Sequence, residues 1–260
     1  MFDFNLILIP LFGFLIGLFV STLGGGGGGL YVPVLTLIFG VTPQVAVATS
    51  LASVLPTTAA GALSHYREGN VDIRTGLILG IGGIVGTVIG AYIANMIPPM
   101  LLKKILGAFM LIMLIPTLRS MLKRRKNKNE VKKESSKLAG PKRIIASLFG
   151  VAGGILAGVF GLSGTPPVTA GLYSLGLPAM MVVGTTIFVL IFNSVTGIGT
   201  YLLLGRLDIP LVLLLGCGSV VGAFLGPKLL KKVNPKTFEK IYGPLTMGIM
   251  LISGAALLLT

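Results

Sequence analysis

Six consecutive glycines, Gly24 to Gly29, lie between two strongly apolar segments and limit what this chain can fold into more than any other stretch. Residues without side chains weaken any helix or strand they enter, so the run predicts broken structure. The surroundings make that break unusual. With 53% hydrophobic and 11% charged residues and a mean hydropathy of +0.96, the chain falls in the helical membrane class. In lipid, non-helical backbone survives only where protein buries it or where it lines a polar cavity, so the run marks a site rather than a linker.

A helix needs about 20 apolar residues to span a bilayer. The 260 residues therefore hold roughly eight to ten crossings or partial crossings. No room remains for a soluble catalytic domain; the chain is not expected to be an enzyme, and no cofactor is expected. The net charge of +14 is concentrated: Arg119 to Arg143 carry eleven of the 21 basic residues and only Glu130 and Glu134 against them. The positive-inside rule reads that block as a cytoplasmic loop, with anionic headgroups as a secondary contact. It contains no aromatic residue, which argues against nucleic acid as a partner. Cys217 is the single cysteine, so no disulfide forms within the chain, and it is expected to be a small packing residue. Residues 1–8 carry Asp3 and no basic residue, a poor signal peptide and a reasonable start of a first membrane helix.

Hydrophobic runs predict a helix over Asn5 to Leu23, the glycine break, and a short apolar piece from Leu30 to Phe39 starting a helix near Tyr31, with Pro33 in its first turn. Gly40 suits a helix end, and Thr42 with Pro43 suits the start of the next helix, which extends to about Tyr66 with a kink near Pro56. Spans follow over Thr75 to Met96 and Leu101 to Met121. The order then recurs. Leu11-Phe12-Gly13 falls on Leu148-Phe149-Gly150 at an offset of 137, and from Gly40 the offset is 136, setting Thr49 on Thr185, Gly69 on Gly205 and Asp72 on Asp208. Gly80, Gly82, Gly86 and Gly90 fall on Gly216, Gly218, Gly222 and Gly226, a spacing that suits close helix packing. The expected organisation is a first transmembrane repeat over 1–121, a basic cytoplasmic loop over 122–142 and a second repeat over 143–260. The fold class is an all-α integral membrane protein, each repeat having about four full transmembrane helices plus a short broken or re-entrant helix. Placing the basic joint and the loop Lys228 to Lys240 on the cytoplasmic side puts Arg67 to Arg74 inside and Lys103-Lys104 outside, which requires inverted repeats.

Opposite the glycine run, the second half has Gly161-Leu162-Ser163-Gly164-Thr165-Pro166-Pro167, with Thr165 a suitable N-cap and Pro166 a suitable first helical residue. Two helix starts facing each other would offer backbone N–H groups and dipole ends to an anion near the midplane without a buried charged side chain. The candidate ligands are Gly25, Gly26, Gly27 and Gly28 in the first break and Ser163, Gly164 and Thr165 in the second. Hydroxyls and an amide on the following helices complete the set: Thr49, Ser50, Ser53 and Thr57, and Thr185, Thr186 and Asn193. Each can donate to an oxyanion, and each can equally bond its own helix. His65, the only histidine, and Arg67 are candidates for proton coupling or an entrance, set against an interfacial role without function. No Asp or Glu lies inside an apolar span, so no acidic proton relay is expected.

Gly161-Leu162-Ser163-Gly164 resembles the Gly-x-Ser-Gly element of rhomboid intramembrane proteases, but the one histidine precedes the serine by almost a hundred residues. A second resemblance covers nearly the whole chain except the basic loop. The Gly-rich break with Tyr31-Val32-Pro33, the Thr49-Ser50 helix, the turn Gly69-Asn70-Val71-Asp72, and the echo through Gly184-Thr185-Thr186 to Leu207-Asp208 resemble the TauE/SafE sulfite exporter family, also called the toluene sulfonate uptake permeases. That resemblance implies a secondary transporter of small sulfur-containing anions such as sulfite, thiosulfate, sulfoacetate or other organosulfonates. It would sit as a multi-pass protein in a bacterial or archaeal inner membrane and work by alternating access. A passive anion channel is the alternative, and a structural membrane protein the weaker one. Proton coupling and homo-oligomers are compatible with this reading.

Overall fold

The computed structural model describes residues 4–21, 28–126, 140–162, 164–230 and 235–260, and among these no strand occurs. The first half contributes α1 (Phe4–Ser21), α2 (Gly28–Leu37), α3 (Pro43–Arg67), α4 (Ile73–Met96) and α5 (Pro99–Lys126). The second contributes α6 (Gly140–Phe160), α7 (Thr165–Ser174), α8 (Ala179–Leu203), α9 (Ile209–Leu230) and α10 (Pro235–Leu259). By length and apolarity α3, α4, α8 and the Pro99–Pro116 part of α5 can cross a membrane. The two ten-residue helices, α2 and α7, follow the two breaks.

Local chemistry explains most boundaries. Gly40 adopts φ +64, and α3 then opens on Pro43, whose missing N–H costs nothing in a first turn. Asp72 caps α4: its carboxylate accepts from the Thr75 N–H at 3.1 Å and from the Thr75 hydroxyl at 2.7 Å. Asp208 does the same for α9 through the Leu211 N–H at 3.0 Å.

Four expectations are corrected. α2 begins at Gly28, so the last two glycines of the run form its first turn and Pro33 lies inside the helix. α7 starts one residue early, with Gly164 in the left-handed region at its cap, so Thr165 is the first helical residue and makes no capping bond. α5 continues past Met121 into the basic block as far as Lys126, and residues 127–139 lie outside the described residues. Cys217, expected to pack inside, is exposed on α9.

The strongest pairings join the halves: α4 packs on α6, α1 on α9 and α3 on α8. Missing side chains make the first two possible. A methyl group at Gly150 would strike the carbonyl of Leu79, one at Gly154 the carbonyl of Gly83, and one at Gly86 the carbonyl of Val151. On the other pair, Gly13 meets the carbonyl of Leu215, Gly17 that of Ser219 and Gly222 that of Phe14. These are the positions matched by the 136 and 137 offsets, so the two interfaces correspond residue by residue.

The same contacts fix helix direction. Residue numbers rise together along α4 and α6 and along α1 and α9, so each of these pairs is parallel. Along α3 and α8 they run oppositely, since Leu51 meets Gly197 and Gly61 meets Ile187. α5 and α10 are likewise antiparallel, Leu111 meeting Gly254 and Gly107 meeting Leu257. Helices matched by the offset therefore run in opposite directions.

Adding one methyl at Gly86 or at Gly222 forces backbone against backbone and should cost about 1–3 kcal/mol, the usual range for overpacking. Thermal unfolding in detergent should show lower midpoints for Gly86→Ala and Gly222→Ala. Gly199→Ala, where nothing lies within 4 Å of the added carbon, should unfold at the wild-type temperature or slightly above it.

Candidate functional site

The second break is a tight turn between α6 and α7. Gly161 and Gly164 hold φ +66 and φ +73, a region that side chains disfavour. Gly161 also abuts α2 and α3: a Cβ there would lie 2.9 Å from the Val32 side chain and 3.1 Å from the Val47 Cα. The Ser50 hydroxyl donates to the Gly161 carbonyl at 2.9 Å, and the Tyr201 hydroxyl donates to the Gly158 carbonyl at 2.6 Å. Two side chains from neighbouring helices thus satisfy carbonyls that the end of α6 leaves open. Gly29, in the first turn of α2, faces the Leu162 side chain, with its missing Cβ only 3.3 Å away. The start of α2 and the second break therefore meet across the halves.

The buried polar side chains around this junction are neutral. Thr49, Ser50 and Ser53 on α3, Thr87 on α4, Thr185, Thr186, Asn193 and Ser194 on α8, and Ser219 on α9 are buried; among the described residues no charged side chain joins them. The hydroxyls of Thr49, Ser53, Thr87, Thr165, Thr186 and Ser194 have no hydrogen-bond partner. A buried hydroxyl without a partner is costly, so these are the groups of the interior whose polar capacity is unused.

The antiparallel α3–α8 pair sorts the predicted residues into three levels. Ser53 and Thr57 on α3 and Asn193 on α8 share the middle level. Thr49-Ser50 and Thr185-Thr186 lie toward opposite ends, separated along the pair by roughly 20 Å at 1.5 Å per residue. One compact shell does not contain all of them. Some are also engaged: Ser50 holds Gly161, Thr57 donates to its own helix at Val54 over 2.7 Å, and Thr185 accepts from the Asp72 N–H at 2.9 Å. Asn193 presses its side-chain oxygen on Gly83, which has no side chain to oppose it.

Gly164 supplies the cap of α7, and Thr165 its first residue. Gly28 is the first residue of α2. Gly25, Gly26, Gly27 and Ser163 lie outside the described residues. His65 is half-buried near the α3 C-terminus, and Arg67 is exposed beside it. Fifteen residues of α3 separate His65 from Ser50, roughly 22 Å at the helical rise, and Ser50 rests on the 161–164 turn.

Two further residues belong with this set. Ser194, beside Asn193, faces α3 at the middle level, and Thr87 sits among glycines that read as packing positions. The sequence signal for Thr87 was a hydroxyl inside an apolar helix, too common in membrane helices to single out.

A family model described as sulfite exporter TauE/SafE matches residues 9–255. The chain belongs to the TauE/SafE family. A probable membrane transporter protein of Bacillus subtilis, YdhB, is 34% identical over 94% of this chain and 99% of its own length. A second from the same organism, YunE, is 28% identical over 91% and 93%, and MJ0441 of Methanocaldococcus jannaschii, also called a probable membrane transporter protein, is 28% identical over 89% and 90%. No solved structure matches the chain. Membership of TauE/SafE makes the chain a membrane transporter.

Ser50→Ala strands the Gly161 carbonyl and Tyr201→Phe the Gly158 carbonyl. Each should lower the stability of the folded protein by about 1–3 kcal/mol, the cost of an unsatisfied buried group, read as an earlier unfolding midpoint in detergent.

Proposed function

We propose that this TauE/SafE protein is a secondary transporter of small sulfur-containing anions, such as sulfite, thiosulfate or an organosulfonate, working by alternating access. The observation that carries the proposal is the meeting of Gly29 with Leu162 between helices that run in opposite directions in the two halves. Matched breaks at the interface of inverted repeats are where secondary transporters hold their substrates. The start of α7 and the start of α2 supply N–H groups, and the neutral hydroxyls of Ser53 and Ser194 at the middle level supply further donors. Such donors bind an oxyanion without the desolvation cost of a buried lysine or arginine.

The protein is proposed to be a multi-pass component of the inner membrane. With the basic 127–139 stretch in the cytoplasm, the turn 68–72 faces inward, Lys103 and Lys104 face outward, and the turn 204–208 faces outward. Proton movement can accompany the anion, with His65 at the inward end the one imidazole available for it.

Proteoliposomes loaded with unlabelled anion and given labelled sulfite, thiosulfate or sulfonate should show uptake accelerated by the internal anion. Large single-channel currents in planar bilayers would replace the carrier by a channel. Absence of uptake for all three anions at every imposed proton gradient would remove the substrate assignment.

A further inference from the structure

The turns between α3 and α4 and between α8 and α9 share the same backbone hydrogen bonds. In the first, the N–H groups of Glu68, Gly69 and Asn70 donate to the carbonyls of Ser64, Tyr66 and His65 at 3.2, 3.0 and 2.8 Å. In the second, the N–H groups of Leu204, Gly205 and Arg206 donate to Thr200, Leu202 and Tyr201 at 3.0, 3.1 and 2.9 Å. Gly69 and Gly205 hold φ +72 and φ +64, and Asp72 and Asp208 cap the helices that follow. The bonds that tie each turn to another helix are not repeated: the second turn has the Arg206 guanidinium donating to the Asn95 side-chain oxygen at 2.8 Å, and the first has a bond to α8. The Asp72 N–H donates to the Thr185 hydroxyl of α8 at 2.9 Å, whereas the matched Asp208 makes no bond to the matched Thr49, whose hydroxyl is fully buried and has no partner.

A packing difference accompanies this one. Beside Thr185 stands Gly184, where a Cβ would collide with the Asn70 carbonyl and crowd the His65 Cβ. The matched residue is Ala48, which carries that methyl group. The first turn can therefore seat closely on α8, and the second turn cannot seat equally closely on α3.

We propose that Thr185 and Thr49 are alternating latches: the described state holds the 68–72 turn on α8 through Thr185, and the opposite state releases it and seats the 204–208 turn on α3 through Thr49. This rests on the alternating-access reading above. In an inverted pair of halves the two end states exchange the environments of matched residues, so a bond made by one member in this state passes to its partner in the other. Thr49 is buried without a partner because its partner belongs to that second state. Gly184 against Ala48 sets the resting preference for the first.

The test uses the full chain in nanodiscs, with Cys217→Ala removing the native thiol and Asn70→Cys reporting release of the first turn through its rate of maleimide labelling. Loss of one buried hydrogen bond shifts a two-state population by about fivefold. Thr185→Val should raise the labelling rate by about that factor. Thr49→Val, roughly 20 Å away along the α3–α8 pair, should lower it by a similar factor, and Thr49→Ser should restore the wild-type rate. Both valine variants should also slow anion uptake in proteoliposomes. If Thr49→Val leaves the labelling rate unchanged while Thr185→Val raises it, Thr185 is a local fastening and the alternation is overturned. If the rates move in opposite directions but the wild-type protein carries no tested anion, the latches stand and the transport assignment falls.

Discussion

Everything in this fold depends on how closely two helix backbones can approach where side chains are missing. Between apolar helices in lipid there is little hydrophobic gain from association, so van der Waals contact and hydrogen bonding must hold them together. The α4–α6 and α1–α9 pairs achieve that with glycines laid against carbonyls, reciprocally, at matched positions. Each pair takes one helix from each half. Neither half is therefore a closed unit, and the two are interlocked rather than merely docked.

Inside this frame the α3–α8 pair carries the buried polar groups, and its antiparallel course determines what they can do together. Ser53, Asn193 and Ser194 come to one level, while Thr49-Ser50 and Thr185-Thr186 serve the two ends. Ser50 and Tyr201 are spent on the carbonyls that the broken α6 leaves open, which is how a non-helical turn is tolerated at membrane depth. The buried polar groups around this pair are neutral hydroxyls and an amide, with no buried charged side chain beside them among the described residues.

Much of this was legible in the chain itself. The glycine run, the recurrence at 136 and 137 and the packing role of the Gly80 to Gly90 series follow from periodicity and local chemistry, and helix placement followed to within a few residues. Ends were less legible. Pro33 looked like a first-turn proline because proline is cheapest there, yet Gly28 and Gly29 join the helix ahead of it, with the Leu162 side chain 3.3 Å from where a Cβ on Gly29 would stand. Thr165 looked like a cap by residue type, but Gly164 could take the left-handed conformation that the close approach to Gly153 demands.

The amino-acid sequence by itself determined that this is a helical membrane protein whose glycine spacing recurs between its halves, and that it is similar to TauE/SafE transporters. Composition, glycine spacing and internal correspondence are one-dimensional properties, and a chain carries them openly. Only the tertiary structure decided which hydroxyls share a level, which are spent on backbone carbonyls, and which of two matched threonines holds a turn. Those outcomes depend on helix direction across the halves and on single methyl groups such as the one that separates Ala48 from Gly184. Neither is visible until α3 and α8 are laid against each other.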